Sequence, residues 1–179
     1  GLAGEGGKIS IDSGKTWETS TSFLNADGLT LGGAIRHMAG QQLISSGYYT
    51  ARSTNGMGGS IDVSAYSAKF LSAEIDASGA TGGGTVRLGG EFQGGKNLPK
   101  DDLPNAAYLV MDRGTTIRSR ATGSKGKGGT SILWSDLETL ALGQIDVTPG
   151  LQNGEGGFVE VSSAGTLNYD ATVETGRGS

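Results

Sequence analysis

Few residues in this sequence could do covalent chemistry, and their spacing argues against it. His37 is the only histidine and there is no cysteine, so Cys/His catalysis, thiolate zinc sites and multi-histidine metal centres are excluded. A Ser-His-Asp triad would have to use His37. That residue sits in the strand-like context Ile35-Arg36-His37-Met38, and no Gly-x-Ser-x-Gly elbow accompanies it, which predicts a structural or solvent-facing histidine. Gly123-Ser124-Lys125-Gly126-Lys127-Gly128-Gly129-Thr130 approaches a phosphate loop. Gly129, however, stands where a lysine must reach the phosphates, and a strand rather than a helix follows. The dinucleotide fingerprint and the aspartate of calcium-binding nonapeptide repeats are both missing. No cofactor and no metal are expected.

Paired carboxylates are the remaining route to catalysis, because extended β folds also host polysaccharide-cleaving enzymes. Asp101-Asp102 falls in the segment 94–105, whose two prolines and polar residues predict a loop leaving the wall of the fold, so these carboxylates point into water. Asp62, Asp76, Asp146 and Glu160 alternate with apolar residues and are predicted to face outward; stacked in register they would form an exposed acidic strip. Tyr48-Tyr49 cannot both face inward, since successive strand side chains alternate. Trp134, Phe92 and Phe158 are expected to be structural. The candidate partner contacts are therefore Tyr48, Tyr49, Lys100, Asp101 and Asp102, with no catalytic group among them.

The scaffold that would hold these residues follows from the glycines. Of 179 residues 34 are Gly, against 3 Pro, and charged residues make up only 18%, which excludes collagen. A formal charge of -4 leaves no basic excess for phosphates, so nucleic acid is not an expected partner. Five glycine clusters closing at Gly7, Gly59, Gly84, Gly129 and Gly157 are each followed by short apolar alternation. Their spacings lie near one or two multiples of a unit of roughly 25 residues, which signals a solenoid. Stacked units would bury an inner column of Ile, Val and Leu that no single unit closes.

The prediction is an all-β, right-handed, single-stranded parallel β-helix of about seven coils, with residues 1–179 one segment of a longer polypeptide. Two reasons suggest themselves for the corner glycines: a need for positive φ, and contact with the corner of the next coil with no side chain between. Leu137–Leu142 carries a weak helical hint. The exposed ends of the stack could pair between molecules, end to end or edge to edge, unless the irregular stretch from Gly1 to Gly40 covers one of them.

The run Gly83-Gly84-Thr85-Val86-Arg87-Leu88-Gly89-Gly90-Glu91-Phe92-Gln93-Gly94, then Ile132-Leu133-Trp134-Ser135-Asp136, then Gly154-Glu155-Gly156-Gly157-Phe158-Val159-Glu160-Val161-Ser162-Ser163 resembles large bacterial two-partner-secretion exoproteins. These are the filamentous-haemagglutinin-like adhesins, including the high-molecular-weight non-pilus type. The resemblance runs from Gly83 to Ser163; the chain before Gly83 shares only the repeat grammar. It implies a β-helical passenger exported through an outer-membrane partner porin and displayed on, or shed from, a Gram-negative surface. The implied role is attachment to a host-cell receptor, glycan or matrix protein, or to other bacteria. The alternatives are a carbohydrate-active β-helix, or a spacer carrying a distal toxin or binding tip. The export signature of the family is not found in this sequence, which predicts shaft rather than export module.

Overall fold

The computed structural model describes residues 4–96, 103–152 and 154–176. Inward apolar and outward polar residues alternate along short strands, and each strand pairs in parallel with its counterpart one turn of the chain later. Coils 1 to 3 carry β1 (Lys8–Glu18) and β2 (Phe23–Asn25), β3 (Ala34–Ser45) and β4 (Tyr48–Thr50), and β5 (Ser60–Phe70) and β6 (Glu74–Asp76). Coil 4 carries β7 (Thr85–Leu88), β8 (Tyr108–Met111) and β9 (Thr116–Arg118). Coil 5 carries β10 (Thr130–Leu133), β11 (Glu138–Ala141) and β12 (Gln144–Asp146), and coil 6 carries β13 (Phe158–Val161), β14 (Thr166–Tyr169) and β15 (Thr172–Glu174).

One sheet runs β2-β4-β6-β9-β12-β15. The other begins β1-β3-β5 and then forks: the first half of β5 pairs with β7 and its second half with β8. Bridges linking Glu5, Leu31, Met57, Gly82 and Lys127 from coil to coil mark a third edge. The interior is a set of in-register columns: Ile35, Ile61 and Val86, then Val63, Leu88 and Leu133, and from the second sheet Tyr49, Ile75, Ile117 and Ile145, all buried. Each such aliphatic side chain contributes about 1.5–3 kcal/mol.

The fold is the parallel β-helix expected, with six coils rather than seven. The register pairs Lys8–Ala34, Ala34–Ser60, Ser60–Thr85, Thr85–Thr130 and Thr130–Phe158 mark the steps from coil to coil. Four of these steps stay close to the repeat unit expected from the glycine spacing, whereas the step from Thr85 to Thr130 is nearly twice as long. That long step is one coil carrying an excursion at the fork, not two coils. A sixth glycine corner, Gly32-Gly33, completes the column. Gly7, Gly33, Gly59, Gly84 and Gly129 each offer a carbonyl oxygen to an amide of the next coil, on Ala34, Ser60, Thr85, Thr130 and Phe158, at 2.9 Å in every case. A Cβ on Gly33, Gly59, Gly84, Gly129 or Gly157 would collide with the carbonyl oxygen of the glycine in the preceding coil. None of these glycines has positive φ. Close approach of backbones, and not left-handed conformation, is what requires glycine here.

Three further expectations are corrected. The stretch before Gly40 does not cap the rod; its described residues wind into coil 1 and the start of coil 2, with a register shift between Ser13 and Lys15 that blurs their alternation. Leu137–Leu142 forms no helical turn, and Glu138–Ala141 is strand. Nor is there an acidic strip. Asp62 lies in register between Arg36 and Arg87, and Arg118 lies between Asp76 and Asp146. Like charges one coil spacing apart would repel, whereas alternating ones pair. No helix among the described residues is long and apolar enough to cross a membrane.

Candidate partner surface

The fork of the first sheet is closed by a plug. After β7 the chain turns at Gly89 (φ 77) and makes a tight turn over Phe92–Gly95, in which Gln93 (φ 51), Gly94 (φ 66) and Gly95 (φ 76) are left-handed. The Trp134 indole lies so close to this turn that a Cβ on Gly94 would come within 2.6 Å of it. Its Nε1 donates to Asp136 Oδ1 (2.9 Å). The same oxygen accepts from Asn105 Nδ2 (3.0 Å), which also donates to the Gly94 carbonyl (3.2 Å). The Phe92 and Phe158 rings meet edge to face at 5.6 Å, and the Gln93 amide donates to the Glu160 carboxylate at 3.1 Å.

Arg87 anchors the base of the plug. It donates to Asp62 through Nε (2.6 Å) and Nη2 (2.8 Å) and also pairs with Glu91. These hydrogen bonds hold the guanidinium above its ordinary value against the opposing effect of burial. The three segments that carry the family resemblance are therefore one physical object: the strap, the ring it wraps and the strand it leans on. Of the segment 94–105, residues 97–102 lie outside the described residues, and with them Lys100, Asp101 and Asp102. On the far side of those residues the Pro104 carbonyl accepts from Ser64 Oγ at 2.7 Å.

At the opposite end the interior turns polar. His37 occupies the inner column between Ile11 and Val63 and is fully buried. Its Nε2 is 3.1 Å from Thr16 Oγ1, and its Nδ1 is 3.4 Å from the Tyr49 hydroxyl and 3.7 Å from Glu18 Oε1; Tyr49 donates to Glu18. Burial lowers the His37 pKa below its ordinary value, with the Glu18 carboxylate opposing. Burial, the Glu18 charge and the hydrogen bond to it raise that of the Tyr49 phenol. This is a satisfied core network closed to substrate. No group of three or more metal-capable side chains clusters among the described residues.

The structure separates the two tyrosines, as strand alternation requires. Tyr48 faces out at 38% exposure, its ring 6.1 Å from that of Phe23. Tyr49 points inward and offers nothing to a partner. Beyond Tyr48 lies a polar corner groove of about 350 Å³ that includes Asp27, Arg52, Asp76 and Arg120. Arg52 donates to Asp27 through Nη2 (2.7 Å) and Nε (3.1 Å). Burial raises the Asp27 pKa, but the bonds from Arg52 outweigh it and leave the carboxyl below its ordinary value. Sequence reasoning did not single out Trp17, the most exposed large apolar side chain among the described residues at 81%. The signal was present: with Thr16 and Glu18 inward, alternation turns Trp17 outward.

A stack of parallel coils with a strapped fork, with His37 sealed in the core and Asp27, Asp62 and Asp146 paired with arginines, defines a parallel β-solenoid. The chain matches no protein-family profile and no curated protein. Among solved structures it is similar to the crystal structure of the HMW1 secretion domain from Haemophilus influenzae, with a TM-score of 0.75 and 27% sequence identity over 96% of this chain and 45% of that one. The resemblance to a two-partner-secretion exoprotein segment read from the strap, Trp134 and Phe158 therefore stands. The chain spans less than half the length of the structure it matches.

Proposed function

We propose that this chain is a non-catalytic β-solenoid segment of a secreted bacterial adhesin, exported with the help of an outer-membrane partner porin and serving attachment at or beyond the cell surface. The observation that carries the reading is the likeness to the HMW1 secretion domain along nearly the whole chain. Because that structure is a secretion domain, we assign the segment to the part of the polypeptide engaged in export, and not to shaft alone.

The disposition of polar groups supports a non-catalytic role: Asp62, Asp27 and Asp146 are committed to arginines, and His37 is sealed in the core. The parent exoprotein with residues 4–176 deleted is expected to lose release into the medium when produced with its porin. The purified segment is expected to bind cultured epithelial cells saturably. Full export of the deleted protein would contradict the export role, and linear, non-saturable cell association would contradict the adhesive one.

A further inference from the structure

A second surface feature has no role in winding the coils. On the outer face of the first sheet, Trp17 stands in register with Ile44, and both border a groove of about 530 Å³ whose walls also include Leu71, Ser20, Ser46 and Ser72. Trp17 is 81% exposed at the rim. An indole left this open forfeits most of the stabilisation that burial would bring. The chain's other tryptophan, Trp134, is used inside the plug. Ser72 adds an independent sign of constraint, because it is one of two described non-glycine residues with positive φ (59°). Its amide is fixed by Asp112 Oδ1 at 2.8 Å. Gly114 leaves room for its hydroxyl, since a Cβ there would collide with Ser72 Oγ. Backbone strain of this kind collects at binding sites.

We propose that the Trp17 groove is a binding site for a neutral oligosaccharide. The chemistry matches on each side. A pyranose offers one face of C–H groups, suited to an exposed indole, and a rim of hydroxyls that exchange hydrogen bonds with Ser20, Ser46 and Ser72. The floor of Ile44 and Leu71 is apolar but small, as saccharide sites are. Among the residues lining the groove the one ionisable group is Glu18, and it turns its carboxylate inward to Tyr49. With a net charge of -4 on the chain, sialylated or sulfated glycans are disfavoured and uncharged ones are not. The proposal rests on the adhesive reading only for its biological use.

The test is a titration of tryptophan emission with cellopentaose, maltopentaose and chitopentaose, on the intact chain and on a Trp134→Phe variant in which Trp17 is the sole reporter. At least one of the three is expected to shift the Trp17 emission to the blue and to shield it from iodide. Trp17→Ala, followed by calorimetry, is expected to weaken binding at least ~10-fold, and Tyr169→Ala on the last coil to leave it unchanged. Trp17 is 81% exposed, so the variant is expected to melt like the parent in a circular dichroism scan. No response to any of the three sugars, or affinity unchanged in Trp17→Ala, overturns the proposal. So does a concentration-dependent dimer that Trp17→Ala abolishes, which would make a second copy the occupant. Binding to cells that survives Trp17→Ala would leave the adhesive reading standing while removing this site.

Discussion

Coils 1 to 3 and coils 4 to 6 close the same solenoid in different ways. In the first half the long sheet is built of unbroken strands of 11 or 12 residues, β1, β3 and β5, and the interior there accommodates His37, Glu18 and Tyr49. In the second half each long strand is split in two, the interior is aliphatic apart from small hydroxyls, and the split is strapped by Phe92–Gly95 over Trp134. Both halves obey the same glycine column. The contrast separates the coil, a product of backbone contact whose likeness to the HMW1 secretion domain extends over 96% of the chain, from the strap, where the recognisable sequence motif is concentrated. That is why the sequence motif is legible only from Gly83 onward, although the likeness in fold is not confined there.

The largest effect is expected at what the halves share. Gly84→Val drives a branched side chain into the Gly59 and Gly58 backbone, and a loss of about 3 kcal/mol or more is expected in a thermal melt followed by circular dichroism. Gly14→Ala meets nothing within 4 Å and should stay within about 0.5 kcal/mol of the parent. A similar cost at both glycines would mean that corner contact is not the constraint.

Trp134→Ala should act on the second half alone. It removes the ring beneath the strap at a cost of about 2–3 kcal/mol, and amide exchange should quicken in residues 89–96 and 103–107 and in β13 while β1 and β3 stay protected. Faster exchange spread evenly along the rod would contradict a local plug.

His37→Val probes the first half. Because the folded His37 pKa is depressed below its ordinary 6.5, the unfolded chain binds the proton more readily. The contribution of neutral His37 is therefore fully present above that pH and is lost as the pH falls through the lowered folded value. The parent protein should lose stability on acidification in this window, and the variant should lose less; parallel pH curves would show that His37 does not titrate against folding. The smallest effect belongs to the outer ladder. Arg52→Ala breaks a half-exposed pair with Asp27 and should cost about 0.5 kcal/mol, less in high salt.

The solenoid was legible in the sequence because the Gly59, Gly84, Gly129 and Gly157 corners each precede a strand of alternating residues. The coil count was not, because an excursion of about one coil's length between Thr85 and Thr130 mimics an extra repeat, and Gly32-Gly33 is a corner of only two glycines. The reason for the glycines was half legible: crowding leaves the same sequence mark as positive φ, and only the folded backbone separates them. Of the candidate contacts, Tyr48 faces out and Tyr49 faces in, as period two demands, though which of them was buried depended on register with Ile75. The outward turn of Trp17 could have been read from the alternation of Thr16 and Glu18 around it, whereas no sequence rule links Glu18 on the first coil with His37 and Tyr49 on the second.

The architecture stands or falls on the step from Thr85 to Thr130 being a single turn of the rod. With no native cysteine in the chain, the pair Thr85→Cys and Thr130→Cys offers a direct measurement. Partners in register on adjacent coils lie within the Cα separation a disulfide spans, about 4.4–6.8 Å, whereas residues two coils apart would be separated by about 9–10 Å. Rapid intramolecular crosslinking of this pair under mild oxidation, with no crosslink between Thr85→Cys and Phe158→Cys, is the predicted result. A free Thr85→Cys/Thr130→Cys dithiol in the folded protein would contradict it.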